Sequence, residues 1–381
     1  MKSRSLVIIA LAAVASGAAH AQFKEMLIQP RIWNDIPTSN LTITNDYPWS
    51  VMLNETNLMQ DTGFATRHLF VFSSDGVNPG VINNNTHFQV SVDLTLSTSN
   101  PSVRKESGFQ IVQPWGYDGP FMVASDGEIA VFGEWLPFQG WGNVYTAGTP
   151  VTITFRYAYD ASDMFNKVTY TQNGNVVGPL IPGNTEQGFI DNSGFRLYSQ
   201  NRRTSAGEDV NLQYRNIRAF LLMNNMVTGR VAQRGMSNLA GTKAMVEIRT
   251  AGTLLALETK EVTLAADGSW DYASVLTAGT YDVAVKPRTG LRDVVKNVTV
   301  DPMGWGAATL HMTGDIDGNN TVTVFDYDVL SANFDKTAAD SDWLIEVGGV
   351  APVHADLDGD GAVTVFDYDL LSTYFDLSGQ A

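Results

Sequence analysis

The sequence contains no cysteine in its 381 residues. That excludes disulfides, thiolate nucleophiles, cysteine-ligated zinc and iron–sulfur clusters together. Histidine is nearly as scarce. His20, His68, His87, His311 and His354 are scattered too widely for a His-based zinc centre or a Ser-His-Asp triad. Neither G-x-S-x-G nor a P-loop occurs. Basic residues form no stripe, so nothing offers a phosphate backbone a partner, and nucleic acid is excluded as a ligand. Beyond the N-terminus no apolar run is long enough to span a bilayer.

The net charge is −16, but it is not spread evenly. Thr313 to Ala381 holds 14 acidic residues and one basic residue, Lys336, which leaves only −3 for all that precedes it. Acidity confined to one end fits cation binding better than general solvation. The apolar share, 44%, is enough for real cores, and the length suits two or three domains. At the start, Lys2 and Arg4 precede an apolar run from Leu6 to Val14, and Ala19-His20-Ala21 forms a small-x-small cleavage site. Residues 1–21 therefore read as a secretory signal peptide, and the protein is expected to be extracellular.

From Gln22 to about Asn225 apolar and polar residues alternate with period two, as in 68–72, 88–96 and 151–159. Asp126-Gly127 and Asn173-Gly174 read as type I′ hairpin turns. No long amphipathic helix interrupts the series, so residues 22–225 are expected to form one large antiparallel sandwich. Residues 226–312 carry seven short strands at close turn spacing, which predicts a second, smaller sandwich of immunoglobulin size. No Pro- or Ser-rich linker separates it from the acidic end, so the two are expected to sit together.

That acidic end, 313–381, contains one segment written twice. DIDGNNTVTVFDYDVLSANFD (315–335) and DLDGDGAVTVFDYDLLSTYFD (356–376) are identical at 14 of 21 positions. Each copy reads as a twelve-residue cation loop followed by a helix. Positions 1, 3, 5 and 12 supply side-chain oxygens: Asp315, Asp317, Asn319 and Asp326, then Asp356, Asp358, Asp360 and Asp367. Position 7 (Thr321, Ala362) supplies a backbone carbonyl, and position 9 (Thr323, Thr364) a hydroxyl or a bridging water. Position 6 must take a positive φ, which Gly361 does freely and Asn320 tolerates. Val322 and Val363, at position 8, are expected to join the two loops to each other. The helices are expected to bury Phe325, Val329 or Leu330, and Phe334 in one copy, and Phe366, Leu370 or Leu371, and Phe375 in the other. Two calcium sites follow, the second tighter because it has four carboxylates to the first loop's three.

Three resemblances attach to these segments. Gly108-Phe-Gln, AGTPVTITFRY (147–157), KVTYTQNGNVV (167–177) and NLQYRNIRAF (211–220) follow an order similar to concanavalin A-like and laminin-G-like jelly rolls. The wording ADGSWDY…LTAGTYDVAVKP resembles carboxypeptidase-regulatory or Cna-B-like sandwiches, which usually act as spacers. The paired loops, each with one following helix and Asp at position 12, resemble a type I dockerin module. That resemblance implies calcium as the cofactor and a cohesin-like protein as partner. Where cellulosomal dockerins often place small hydroxyl residues at positions 10 and 11 for that partner, this chain has Val324-Phe325 and Val365-Phe366. The alternative is a Phe turned inward and a tail docked within its own chain.

No catalytic pair stands out. Glu128 and Glu134 share a strand face by even spacing, but Ala130 and Gly133 replace the remaining acids of the glucanase-type Glu-x-Asp-x-x-Glu run. Trp115, Trp135 and Trp141 lie in a Gly-rich stretch and are candidates for stacking on sugar rings. The sequence therefore reads as a mainly β, secreted, calcium-binding protein that binds carbohydrate and supports extracellular polysaccharide breakdown without catalysing it. Two alternatives stand beside that reading: a glycoside hydrolase or polysaccharide lyase with a divergent site in the first sandwich, and a structural protein with a calcium-stiffened cap.

Overall fold

Alternation in the sequence becomes alternation in burial. Along the strand Phe88–Thr98, Phe88, Val90, Val92, Leu94 and Leu96 are buried and the residues between them are half-buried. The computed structural model describes residues 23–381 apart from 60–63, 84–85, 113–117, 134–135, 161–164, 183–192, 203–206, 223–225, 277–278 and 301–304. The signal peptide expected at residues 1–21 lies outside the described residues.

The chain is mainly β, with two helices near its C-terminus. Up to Leu221 the strands form two antiparallel sheets. One runs in the order Glu25–Asn34, Ala65–Ser73, Ser193–Arg202, Lys105–Val112, Asp118–Ala124, Glu128–Val131, Gln139–Asn143, with Val81–Ile82 pairing on Ser193–Arg202. The other runs Asn175–Leu180, Phe165–Gln172, Pro150–Asp160, Phe88–Thr98, Glu208–Leu221, Ser50–Leu58, Asn40–Asp46. Their facing sides share one core, including Phe70, Phe72, Phe109, Phe121, Phe155, Tyr157, Phe195 and Tyr214. Asn173 and Gly174 both take positive φ, as a type I′ turn requires. At the other predicted turn only Gly127 does, so Asp126-Gly127 is a different turn joining the expected strands.

One polar cluster is sealed inside this sandwich. The buried Glu55 carboxylate accepts from Ser39 Oγ (2.7 Å), Thr66 Oγ1 (2.9 Å) and Asn201 Nδ2 (2.7 Å), and lies 3.2 Å from His68 Nε2. The backbone N–H of Arg31 donates to His68 Nδ1, so Nε2 carries the proton and donates to Glu55. Burial alone would raise the Glu55 pKa, but the bonds from His68, Ser39 and Asn201 hold it at about 2.

Residues 226–311 form two further sheets. Ser269–Ala273, Met226–Gln233 and Trp305–His311 make the first, in which Met226–Gln233 and Trp305–His311 run parallel. Ala256–Thr263, Lys243–Thr250, Gly279–Pro287 and Asp293–Val300 make the second, wholly antiparallel. Their core is separate and holds Val231, Val246, Ile248, Trp270, Val283, Val285 and Trp305. Arg218, on the last strand of the large sandwich, reaches across to the small one, with Nη1 2.7 Å from Asp293 Oδ2 and 2.6 Å from the Ala308 carbonyl.

The acidic end has a third core, built of Ile316, Val322, Leu330, Trp343, Leu357, Val363 and Leu371. Leu291 of the small sandwich belongs to it. Hydrogen bonds carry the junction as well: Leu291 N–H to the Met312 carbonyl at 2.8 Å, and Gly314 N–H to the Thr289 carbonyl at 3.0 Å. The tail is thus packed on the small sandwich, as the missing linker predicts.

Candidate metal centre

Each loop begins from its backbone. Asn320 has φ 73° and Gly361 φ 91°, so position 6 turns as the sequence requires in both copies. The turn brings its own N–H back to position 1: Asn320 N lies 2.9 Å from Asp315 Oδ2, and Gly361 N lies 3.0 Å from Asp356 Oδ2. At position 12 the carboxylate is also fastened. Asp326 accepts from Ile316, Asp317 and Thr323 amides, and Asp367 from Leu357, Asp358 and Thr364 amides.

The helices start where the loops end. Helix α1 (Val324–Ala332) is capped by Thr323, whose hydroxyl accepts from Phe325 N–H, with Asp326 bonding back to the Thr323 N–H. Helix α2 (Val365–Thr373) repeats this with Thr364, Phe366 and Asp367. The position-9 hydroxyls therefore serve as helix caps, and the acid in each first turn meets the positive end of the helix dipole.

These constraints gather three carboxylates in each copy. One oxygen from each of Asp315, Asp317 and Asp326 lies within 4.8 Å of the others, and the same holds for Asp356, Asp358 and Asp367. Either triad could hold a metal ion. Position 5 lies beside them: Asn319 Nδ2 donates to Asp317 Oδ2 at 2.8 Å, and Asp360 N–H donates to Asp358 Oδ1 at 3.1 Å. Thr321 and Ala362 follow at position 7, their N–H groups bonded to Asn319 Oδ1 and Asp360 Oδ1.

Two observations fit a cation of this kind. Asp315 is fully buried, yet its Oδ1 has no hydrogen-bond partner. A buried carboxylate oxygen left bare is costly unless something positive meets it. Crowding is the second. Burial, and then repulsion from Asp367 and Asp358, push Asp356 up to about 6, and burial likewise raises Asp367. Burial raises Asp315 too and lowers Lys286, while their mutual attraction opposes both shifts. A divalent cation relieves such crowding, and an all-oxygen donor set suits a hard ion.

Two expectations need correction. Val322 and Val363 share one core, but their backbones do not pair the two loops with each other. Val322 exchanges backbone hydrogen bonds with Asp376 and Leu377, past the second helix, and Val363 with Asp335 and Lys336, past the first. Each loop is thus closed by the end of the other copy. The helices are also rotated from the predicted face. Asp326 with Leu330, and Asp367 with Leu371, are buried, whereas Phe325 is 64% and Phe366 63% exposed. Asp326 and Asp367 are tied into their loops, and the residue before each is turned about 100° away, toward solvent. Phe334 and Phe375 are exposed as well.

Of the sugar-stacking candidates, Trp115 and Trp135 lie outside the described residues. Trp141 is half-buried and stacked on Phe121 with ring centroids 5.4 Å apart. Glu134 is also outside the described residues. The strand beginning at Glu128 ends at Val131. Glu128 is held by Arg104 at 2.6 Å. What sequence reasoning missed is Trp33, 45% exposed, with the Arg67 guanidinium 4.8 Å from its ring centre and 5.3 Å from that of Tyr198. Phe64, 49% exposed, has the Arg202 guanidinium 5.0 Å away. No motif marks these residues; only the pairing of Trp33 with Arg67 across adjacent strands brings them together.

Among the described residues no helix is long and apolar enough to cross a membrane. No family model matches the sequence, and no curated protein matches it. Solved structures similar to it include an interface mutant of a type II cohesin–X–dockerin complex from Acetivibrio cellulolyticus, 20% identical over 41% of this chain and 98% of the other, with a TM-score of 0.31. An alginate lyase of polysaccharide lyase family 7 is 13% identical over 48% of this chain and 83% of its own, with a TM-score of 0.33. An alginate lyase from Corynebacterium sp. is 12% identical over 47% and 83%, with a TM-score of 0.31.

Proposed function

We propose that residues 313–381 are a dockerin-like module holding two calcium ions, carried by an exported protein that binds extracellular polysaccharide or its degrading machinery. Asp315, Asp317, Asn319, the Thr321 carbonyl, Thr323 directly or through water, and Asp326 hold the first ion. Asp356, Asp358, Asp360, the Ala362 carbonyl, Thr364 and Asp367 hold the second. Calcium supplies charge neutralisation and cross-linking of the loop; the chain supplies the preformed ring of oxygens. The observation that carries this reading is the twice-repeated carboxylate triad whose first member, Asp315, buries an oxygen with no partner. Titration of the full chain with calcium, beside Asp315→Asn and Asp356→Asn, tests it: two binding events are expected, and each substitution should remove or weaken one.

The domain scheme proposed with it is 22–225, 226–312 and 313–381, supported by a main apolar core in each. A partner-docking face is supported by the outward positions 10 and 11. Val324, Phe325, Val365 and Phe366 are all more than half exposed, and Tyr327 and Tyr368 bring their rings within 6.0 Å between the two helices. An apolar face on helices anchored elsewhere fits a cohesin-like partner.

For the large sandwich, we place glycan contact at Trp33 and Phe64 rather than Trp141, because these two exposed rings are each backed by an arginine. A glycan array with Trp33→Ala and Phe64→Ala tests this; retained binding by the double variant sinks it. Reducing-sugar release from the same polysaccharides separates binding from the hydrolase or lyase alternative.

A further inference from the structure

The two loops are near copies, yet they meet the small sandwich differently. Lys286, on the strand Gly279–Pro287, places Nζ 2.5 Å from Asp315 Oδ2. The same ammonium donates to the Gly290 carbonyl at 3.0 Å, which fixes its position. Asp315 is wholly buried and Lys286 only 12% exposed. Arg288 adds a second basic contact, donating from Nη1 to the Ile316 carbonyl at 3.1 Å. The corresponding carboxylate of the second loop, Asp356, accepts only backbone N–H groups, those of Gly359, Asp360 and Gly361. No ion pair to Asp356 occurs among the described residues. On that side the sandwich contributes Gly235 and Met236, packed near Leu370 and Gly359.

The division of labour on Asp315 matters. Lys286 and the Asn320 N–H occupy Oδ2, while Oδ1 is the oxygen left without a partner. A lysine on Oδ2 leaves Oδ1 open to an ion. It supplies a fixed positive charge behind a ligand of the first loop.

We propose that Lys286 is a built-in counter-ion of the first loop: it holds that loop folded without calcium and lowers its calcium affinity, so the second loop fills first. The inference rests on the calcium reading above and deepens it. Ligand count already favours the second loop, with four carboxylates against three. The added cation widens that gap, because a positive charge within a few ångströms of a divalent ion in a partly buried site repels it strongly. Since Lys286 belongs to the small sandwich, the strength of the first site is set from outside the repeat.

The test is calorimetric titration of the full chain with calcium, at fixed pH and ionic strength, for the wild type, Lys286→Met, Lys286→Gln and Lys286→Arg. Asp360→Asn identifies which binding constant belongs to the second loop. Lys286→Gln keeps a donor for the Gly290 carbonyl, so a folding failure of Lys286→Met does not end the test. Both neutral variants should tighten the weaker site by about tenfold or more and lower the melting temperature in excess chelator. Lys286→Arg should leave the weaker constant near the wild-type value. A neutral variant with an unchanged or weakened first site overturns the inference while leaving two-site calcium binding intact. A wild type that takes up no calcium overturns both.

Discussion

The Oδ1 oxygen of Asp326 accepts the backbone N–H of Ile316 at 2.7 Å, so position 12 of the first loop is tied to the residue after position 1. Asp367 and Leu357 repeat the bond at 2.6 Å. Each carboxylate thus closes its loop and caps its helix before any ion is considered. Asp326→Ala should therefore lower stability even in chelator, by about 2–4 kcal/mol for three lost charge-assisted bonds. Asp328→Ala, two residues along the helix and exposed, should change it little. Equal melting temperatures for the two variants in chelator would contradict this role.

The outward phenylalanines yield the opposite pattern. Phe325→Ser with Phe366→Ser removes no buried contact, so melting temperature should stay within a degree or two, as for surface changes of about ±0.5 kcal/mol. Calcium binding should be unchanged, and retention of an apolar-faced, cohesin-like partner should be lost. A marked loss of stability would show that these rings pack inward after all.

Arg218 joins the large sandwich to the small one through Asp293, which is only 4% exposed. Burial raises the Asp293 pKa and Arg218 lowers it, with a net downward shift. Arg218→Met strands that carboxylate, although Leu310 N–H and Gln380 Nε2 still donate to it. The expected cost is about 3 kcal/mol, read by denaturant unfolding, with Arg218→Lys intermediate because it keeps the charge but not the planar guanidinium that reaches both Asp293 and the Ala308 carbonyl. A wild-type curve for Arg218→Met would rule out a structural role for the pair.

One buried group outside the acidic loops should cost the fold stability as acid is added. His311 is fully buried; burial, opposed by Asp293, lowers its pKa to about 4. It lies 2.7 Å from the Leu291 carbonyl and 2.7 Å from Thr309 Oγ1, an arrangement suited to the neutral ring. Between its unfolded value near 6.5 and about 4 the unfolded chain binds the proton and the folded chain does not. Folding stability is therefore lost as pH drops through that window, by up to about 3 kcal/mol. Glu55 adds a second loss lower down, between about 4.5 and about 2, because its folded pKa is depressed. His354, lowered to about 4, adds to the His311 loss, whereas Asp356, raised to about 6, adds stability in chelator as pH falls, so the His311 contribution is the difference between wild type and His311→Gln in chemical unfolding across pH 4–7.

Much of this was legible in the sequence, for identifiable reasons. Period-two alternation gave the strand Phe88–Thr98 because one of its faces lies in a core and the other does not. The loop registers were readable because positions 1, 3, 6 and 12 have strict geometric tasks, met by Asp, Asp, Asn or Gly, and Asp. The exposed helix faces were not readable: Phe325 looks like core until Asp326 is seen to claim the inward direction. Nor was the crossed pairing of Val322 with Leu377 and Val363 with Lys336, which depends on how two copies fold around each other. Trp33 and Arg67 lie 34 residues apart and meet only through strand register. Lys286 gave no signal at all, since its partner Asp315 lies in another unit.

The most direct measurement is the number of calcium ions bound per full-length chain, by equilibrium dialysis with metal analysis, for the wild type and the Asp315→Asn, Asp356→Asn double variant. Two ions for the wild type and none held at the same free calcium by the double variant is the expected result. A wild type that binds none, or a double variant that still binds two, contradicts the assignment of the repeated acidic loops as a paired calcium centre.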